Sequence, residues 1–101
     1  MNDLQYQFEW DEKKAAANVF KHGVSFELAS TIFTDPGLLT VPDLARSRTE
    51  ERWFSIGSSS DGRVLFVVYL WSESEPPTTK VRIISARRAT PAEIRQYEES
   101  Q

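Results

Sequence analysis

An apolar stripe at helical spacing predicts a first helix, which we place between Glu12 and His22. Asp11 before it is a favourable N-cap residue, and Gly23 after it tolerates the left-handed conformation that ends a helix. We expect the stripe to face the core, because a surface helix turns its apolar side inward. The stripe consists of Ala15, Ala16, Val19 and Phe20.

Two further helices are indicated by signals at their ends. Ser25 is suited to cap a second helix, which Pro36 ends because the residue before a proline disfavours helix. The segment Thr90–Glu93 is a capping box with proline at the first helical position, so a last helix begins at Pro91 and frays near Ser100. The buried face of the second helix is expected to comprise Leu28, Ala29, Ile32 and Phe33.

Elsewhere the pattern is that of strands. A continuous apolar run from Arg63 to Trp71 predicts a central strand covered on both faces, and Asp61-Gly62 before it is a hairpin signal. Other strands are predicted at Phe8–Trp10, Leu38–Val41 and Glu51–Gly57, and from Lys80 onward. The polar segments 43–49, 58–62 and 72–79 are predicted to be loops or turns.

The order of elements is therefore strand, two helices, four strands and a final helix. Consecutive strands joined by short turns favour antiparallel pairing, and helices grouped on such a sheet define the α+β class. We predict a single domain over residues 1–101. It should contain two N-terminal helices packed on a mostly antiparallel four- to five-stranded sheet, with a C-terminal helix.

Composition narrows the possible functions. The 101 residues are 40% hydrophobic and 27% charged, as in ordinary soluble domains, and no apolar run reaches the ~20 residues that span a bilayer. Since the start has no signal-peptide pattern, a cytoplasmic location is expected. The absence of cysteine excludes disulfides and thiolate chemistry, and a single histidine argues against a His-rich metal site. No metal or cofactor is therefore expected.

A cationic segment stands out against the net charge of −3. The stretch KVRIISARRAT, from Lys80 to Thr90, has four cations and no acid. Strand alternation puts Lys80, Arg82 and Ile84 on one face, with Val81, Ile83 and Ser85 on the other. Arg87 and Arg88 follow where the strand should end. Guanidinium groups match phosphate oxygens, so the segment is suited to bind anions. The alternative is that these arginines pair with the chain's own acids.

Three segments together resemble the BrnT toxins of bacterial type II toxin–antitoxin pairs. They are FEWDEKKAAANVFKHGVSFELASTIFTDP, ERWFSIGSSSDGRVLFVVY and RIISARRATPAEIRQYE, with WD-x-x-K, KHGVSFE and IISARRA in that order. The resemblance implies a RelE/ParE-like fold and a ribonuclease activity that arrests translation and growth. It also implies a BrnA-type ribbon-helix-helix antitoxin, which together with the toxin binds and represses its own promoter DNA.

Metal-independent RNA cleavage needs a base for the 2′-hydroxyl, an acid for the leaving 5′-oxygen, and cations that offset charge on the phosphate. Candidates for the cationic role are Arg82 and Arg87 first, then Arg63 and Arg88. Further candidates for RNA binding are Lys80, Lys21 and Arg52.

The proton-transfer role is less well specified. Histidine is the residue type that titrates near neutrality when unperturbed, which makes His22 a candidate. Alternatively, His22 and Lys21 stabilise the negative end of the first helix. Glu51 heads a strand expected beside Arg63 and could act as a base, or pair with an arginine across strands. Tyr69 could act as an acid or belong to the core.

A second function is compatible with the same fold. The chain could inhibit a target protein by binding it without catalysis, as ParE-like relatives do, or act only as a corepressor with its antitoxin. The lack of an obvious general base favours this function, whereas the row of cations favours the ribonuclease. The aromatic side chains of Trp53, Trp71 and Phe66 could stack on bases or belong to the core.

Overall fold

The computed structural model describes residues 5–45, 51–73 and 78–101. The strands are β1 (Gln5–Glu9), β2 (Leu39–Pro42), β3 (Glu51–Ser58), β4 (Val64–Glu73) and β5 (Thr78–Arg88). The helices are α1 (Glu12–His22), α2 (Phe26–Ser30), which continues into a 3₁₀ turn at Thr31–Thr34, and α3 (Pro91–Glu99). None of the helices in these ranges is long and apolar enough to cross a membrane.

The five strands form one mixed sheet in the order β1-β5-β4-β3-β2. The pairs β2–β3, β3–β4 and β4–β5 are antiparallel. The remaining pair is parallel and joins β1 to the first half of β5. The α+β class is confirmed. The predicted loop 72–79 is wrong at both ends, because β4 continues to Glu73 and β5 begins at Thr78. Most of the predicted loop 43–49 and all of residues 74–77 lie outside the described residues.

One face of the sheet carries the hydrophobic core, and we call it the helix side. Residues of α2 and the 3₁₀ turn, among them Phe26, Ala29 and Ile32, are fully buried against Val67 and Tyr69 of β4 and their neighbours. Leu28 and Phe33 pack against the same cluster, as predicted. The hydroxyl of Tyr69 is satisfied by Ser55 Oγ at 2.7 Å, so Tyr69 belongs to the core.

The predicted inward stripe of α1 is confirmed for Ala15, which packs against the core, but is wrong for Ala16, Val19 and Phe20. Phe20 is 95% exposed and Val19 is 48% exposed, whereas the buried residue of this helix is Asn18. The reason lies in β5, whose pairing with β1 ends at Arg82. Beyond that point its outer edge needs another partner.

Asn18 supplies that partner. Its Nδ2 donates to the carbonyl oxygen of Ala86 at 2.7 Å, and its Oδ1 accepts from the Ala86 N–H at 3.2 Å. The same Nδ2 also donates to the carbonyl oxygen of Val24 at 2.9 Å. The side facing β5 is therefore chosen by backbone hydrogen-bonding groups, which are costly to bury unpaired.

The opposite face of the sheet, which we call the open face, is only partly covered. On β4 the side chains of Leu65, Val67 and Tyr69 are buried on the helix side, while Phe66, Val68 and Leu70 are half-buried on the open face. The prediction that this strand is covered on both faces is therefore wrong for the second face. α3 lies against β3 and covers one end of the open face.

The C-terminal helix is held in place by Asp35. Its Oδ2 accepts hydrogen bonds from the Tyr97 hydroxyl at 2.5 Å and from the Ser58 N–H at 2.8 Å, and its Oδ1 accepts from the Gly37 N–H. The predicted capping box also forms, with Thr90 accepting from the Glu93 N–H and the Glu93 carboxylate accepting from the Thr90 N–H. α3 is thus fixed at its start and again two turns later.

Candidate functional site

A row that contains two arginines and one glutamate crosses the open face near the start of β3. Strand register aligns Arg52 of β3 with Leu70 of β4, Leu70 with Arg82 of β5, and Arg82 with Glu9 of β1. Two arginines two strand spacings apart, ~10 Å, therefore flank one leucine. We call these four residues the arginine row.

Each arginine of the row has an acidic neighbour on its outer side. Arg82 Nη1 lies 3.1 Å from Glu9 Oε2, and Arg52 Nε lies 3.3 Å from Asp43 Oδ2. The Arg82 and Glu9 side chains remain 43% and 41% exposed. An exposed pair of this kind contributes only about 0–1 kcal/mol. A phosphate oxygen can therefore replace the carboxylate on Arg82 at little cost.

Arg87 is held much more firmly on the same face. Its Nη1 and Nη2 bond to the two carboxylate oxygens of Glu93 at 2.8 and 3.0 Å, and its Cζ lies 4.2 Å from the centre of the Phe66 ring. The hydrogen bonds to Glu93 raise the pKa of Arg87, and those from Arg87 lower the pKa of Glu93. Phe66 in turn stacks on Phe54 at 4.9 Å, so a cation and two rings form one rigid stack.

A bulge explains why Arg82 and Arg87 share a face although they are an odd number of residues apart. Register shifts between Val68 and Tyr69 of β4, so that Ile83 pairs with Tyr69, Ser85 pairs with Val68, and Ile84 has no register partner. The extra residue inverts the alternation for the rest of the strand. The predicted placement of Ser85 with Val81 and Ile83 is therefore wrong.

The structure brings some of the predicted site residues together and separates others. Those on the open face are Arg52, Arg82 and Arg87, with Lys80 on the same side of β5 opposite Ser72. Arg88 pairs in register with Leu65, whose side chain is buried on the helix side. Lys21 and His22 end α1, and no hydrogen bond or ion pair links them to the arginines of the described sheet.

Glu51 and Arg63 lie far apart, contrary to expectation. Glu51 is aligned with Trp71 at one end of the β3–β4 pair, whereas Arg63 precedes β4 at the other end. The Arg63 Nε donates to Asp61 Oδ2 at 2.7 Å inside the turn. The hydroxyl of Ser59 and the groups of Arg63 hold the pKa of Asp61 at about 2. Arg63 therefore stabilises the hairpin turn.

The site also contains residues that the sequence did not single out. Glu9 completes the arginine row, Glu93 orients Arg87, and Phe54 extends the ring of Phe66. Only the pairing of β1 with β5 brings Glu9 to Arg82, and no local pattern signals that pairing. Within the described ranges, no group of three or more histidine or carboxylate side chains is arranged to hold a metal ion.

Trp53 and Trp71 lie on the helix side and pack against the core. Together with Thr40 they line a cavity of about 130 Å³. The Trp53 Nε1 atom is buried and makes no hydrogen bond. Packing, rather than a platform on the open face, is therefore the observed role of Trp53 and Trp71.

Comparison with known proteins identifies the class. A family-wide sequence profile described as "Ribonuclease toxin, BrnT, of type II toxin-antitoxin system" matches residues 10–93. The fold matches a crystal structure of the Brucella abortus ribonuclease toxin BrnT with a TM-score of 0.62 and 23% identity, over 85% of this chain and 97% of that one. No curated protein sequence matches the chain. The matching family profile defines the class of protein, which is that of ribonuclease toxins from type II toxin–antitoxin systems. The chain belongs to the BrnT family.

Proposed function

We propose that this chain is a metal-independent ribonuclease toxin of RelE/ParE-like fold that cleaves RNA on the open face. It acts in the bacterial cytoplasm, where cleavage arrests translation and growth. The observation that carries the proposal is the arginine row, in which an exposed guanidinium of Arg82 lies 3.1 Å from the Glu9 carboxylate. Membership of the BrnT family supports the same reaction.

The proposed reaction combines phosphate binding by arginines with proton transfer to a carboxylate. Arg82 and Arg52 bind the oxygens of the scissile phosphate, because guanidinium groups stay charged and present paired donors. The Glu9 carboxylate accepts the proton of the 2′-hydroxyl, whose oxygen then forms a bond to phosphorus. The bond to the 5′-oxygen breaks, that oxygen takes a proton from water, and the proton held by Glu9 neutralises the hydroxide that is left, which regenerates the carboxylate. The products are a 2′,3′-cyclic phosphate and a free 5′-hydroxyl.

The aromatic stack positions the substrate. Phe66 and Phe54 are half-buried, and their stacked rings lie on the face that bears Arg82. A base that adds to the end of this stack gains about 1–3 kcal/mol. Arg87, locked by Glu93, fixes the orientation of Phe66 and contributes positive charge at the far end of β5.

The expected partner is an antitoxin, since type II toxins are neutralised by a protein. We propose a BrnA-type ribbon-helix-helix protein, and binding of promoter DNA only by the toxin–antitoxin complex. The net charge of −3 supports this division, because bulk electrostatics do not draw the toxin alone to DNA.

Incubation of purified protein with bulk RNA in the presence of a chelator tests the reaction. Arg82→Ala and Glu9→Gln should each slow cleavage at least 100-fold, because removal of one transition-state contact or a positioned base costs that much. Arg95→Ala, which removes an exposed cation of α3, should stay within twofold of the wild type. A wild-type protein that leaves RNA intact, or an Arg82→Ala variant that cleaves normally, contradicts the proposal.

A second candidate function is inhibition of a target protein by binding. It is favoured by the internal partners of Arg52, Arg82 and Arg87, each of which faces an acid of the chain. The variant carrying both Arg82→Ala and Arg87→Ala separates the two functions. Growth arrest that persists in this variant, without RNA cleavage by the wild type, supports inhibition by binding.

A further inference from the structure

The outer surface of α1 exposes apolar side chains among charged ones and has no partner among the described residues. At about 100° per residue, Asp11, Ala15, Asn18 and His22 form the side that faces β5. Phe20 lies diametrically opposite. We define the α1 patch as Ala16, Val19 and Phe20, together with the charged residues around them, Glu12, Lys13, Lys14 and Lys21.

The α1 patch does not serve the stability of the folded chain. Phe20 is 95% exposed, and Ala16 beside it is also exposed. The helix is attached to the sheet through the amide of Asn18 and the partly buried Ala15. Single exposed apolar residues are ordinary, but here Ala16, Val19 and Phe20 are exposed together on one helix. Such a face is typical of a helix that packs on another protein.

We infer that the α1 patch docks an acidic, amphipathic segment of the antitoxin. The inference rests on the proposed function for the existence of an antitoxin and adds where it binds and what its contact segment must contain. A large apolar side chain of that segment would cover Phe20, and carboxylates beside it would reach the bordering lysines.

Charge selects this occupant over a second copy of the chain. α1 carries three lysines and one acid, Glu12, in a protein whose net charge is −3. Two copies packed through this patch would bring lysines against lysines, which is unfavourable at an interface. An acidic segment meets attraction instead.

The patch also differs from a surface that binds RNA. Single-stranded RNA is held where a charged groove follows its backbone and rings stack on its bases. Phe20 is the one phenylalanine, tyrosine or tryptophan of α1, so successive bases have no row of rings to stack on there. The arginines lie instead on the open face, across the edge of the sheet where α1 begins three residues after Glu9.

Titration of the wild type and variants with the purified BrnA-type antitoxin proposed above tests the inference. Phe20→Glu should weaken binding at least 100-fold, because it removes the anchor and adds a charge that repels acids. Lys13→Glu combined with Lys21→Glu should weaken binding at least tenfold and reduce its dependence on salt. Leu44→Glu is the matched control and should bind normally, since Leu44 is 80% exposed but follows β2 at the opposite edge of the sheet.

Other readouts distinguish the competing occupants. Phe20→Glu should keep wild-type RNA cleavage while escaping inhibition by the antitoxin, and Arg82→Ala should keep normal antitoxin affinity. Antitoxin binding by Phe20→Glu within twofold of the wild type overturns the inference. So does loss of RNA binding with unchanged antitoxin affinity, or a wild-type dimer that becomes monomeric on this substitution. If no variant cleaves RNA, the proposed catalysis fails, while the antitoxin affinities still decide the docking site.

Discussion

At the scale of single residues, the pair formed by Glu9 and Arg82 concentrates the chemistry of the site. Either residue alone is an ordinary surface charge, and their 3.1 Å contact arises only when β1 lies parallel to β5. Because this ion pair is exposed and has a single contact, Arg82 can exchange Glu9 for a phosphate. Arg87 cannot do so as readily, because it forms a bidentate ion pair with Glu93. We therefore propose that Arg82 contacts the substrate and that Arg87 positions Phe66.

The hydrogen bond between Tyr97 and Asp35 makes the stability of the fold depend on pH. Partial burial opposes ionisation of Asp35, but hydrogen bonds from the Ser58 N–H, the Tyr97 hydroxyl and the Gly37 N–H outweigh it and lower the pKa of Asp35. The hydrogen bond to Asp35 raises the pKa of Tyr97 to about 12. The two shifts act at opposite ends of the pH scale.

Tyr97→Phe should lower the free energy of unfolding by about 1–2 kcal/mol near neutral pH, because it removes one hydrogen bond to a charged group. In the wild type, Tyr97 binds its proton more tightly when folded, so its contribution is present below pH 10 and lost between pH 10 and 12. Urea unfolding across that range should therefore show a fall in the wild type that Tyr97→Phe lacks. An identical alkaline profile for both proteins contradicts the assignment.

At acid pH, the lowered pKa of Asp35 makes the free energy of unfolding fall as the pH falls, which is the opposite direction to the effect of Tyr97. Its stabilising effect is present above about pH 4 and is lost as the pH falls through the folded-state value. Asp35→Asn should flatten this acid limb relative to the wild type.

At the scale of elements, local signals specified where helices begin and end. Asp11 and Gly23 fix the bounds of α1, and the capping box of Thr90 and Glu93 fixes the start of α3, because these signals act within one turn. The side of a helix that faces the sheet could not be predicted from such local signals. Val19 and Phe20 of the predicted stripe face water because Asn18 is needed at the unpaired edge of β5, and that need depends on where β1 ends.

Asn18→Ala tests that account of α1. It leaves the N–H and carbonyl of Ala86 and the carbonyl of Val24 without their partner, so we expect the free energy of unfolding to fall by about 2–3 kcal/mol. Lys14→Ala, an exposed change on the same helix, should alter it by less than about 0.5 kcal/mol. The measurement is urea unfolding of the three proteins, and equal stabilities would show that Asn18 does not anchor the helix.

At the scale of the whole molecule, the sheet separates two tasks. The helix side holds the core, and the open face presents charge and half-buried rings to solvent. The sequence indicated the cations of β5 but could not bring them to Glu9 or Arg52, because their alignment depends on pairing between distant strands and on the bulge at Val68. Residues chosen for their chemical type alone, such as His22 and Arg63, accordingly lie elsewhere.

The site of RNA contact can be measured directly by NMR. Isotope-labelled protein is titrated with an RNA oligonucleotide whose 2′-positions are methylated, so that it binds without being cleaved. The account predicts that the largest amide shifts occur at Arg52, Leu70 and Arg82, and that they disappear in Arg82→Ala. Shifts centred on α1, or an open face that does not respond to RNA, would contradict it.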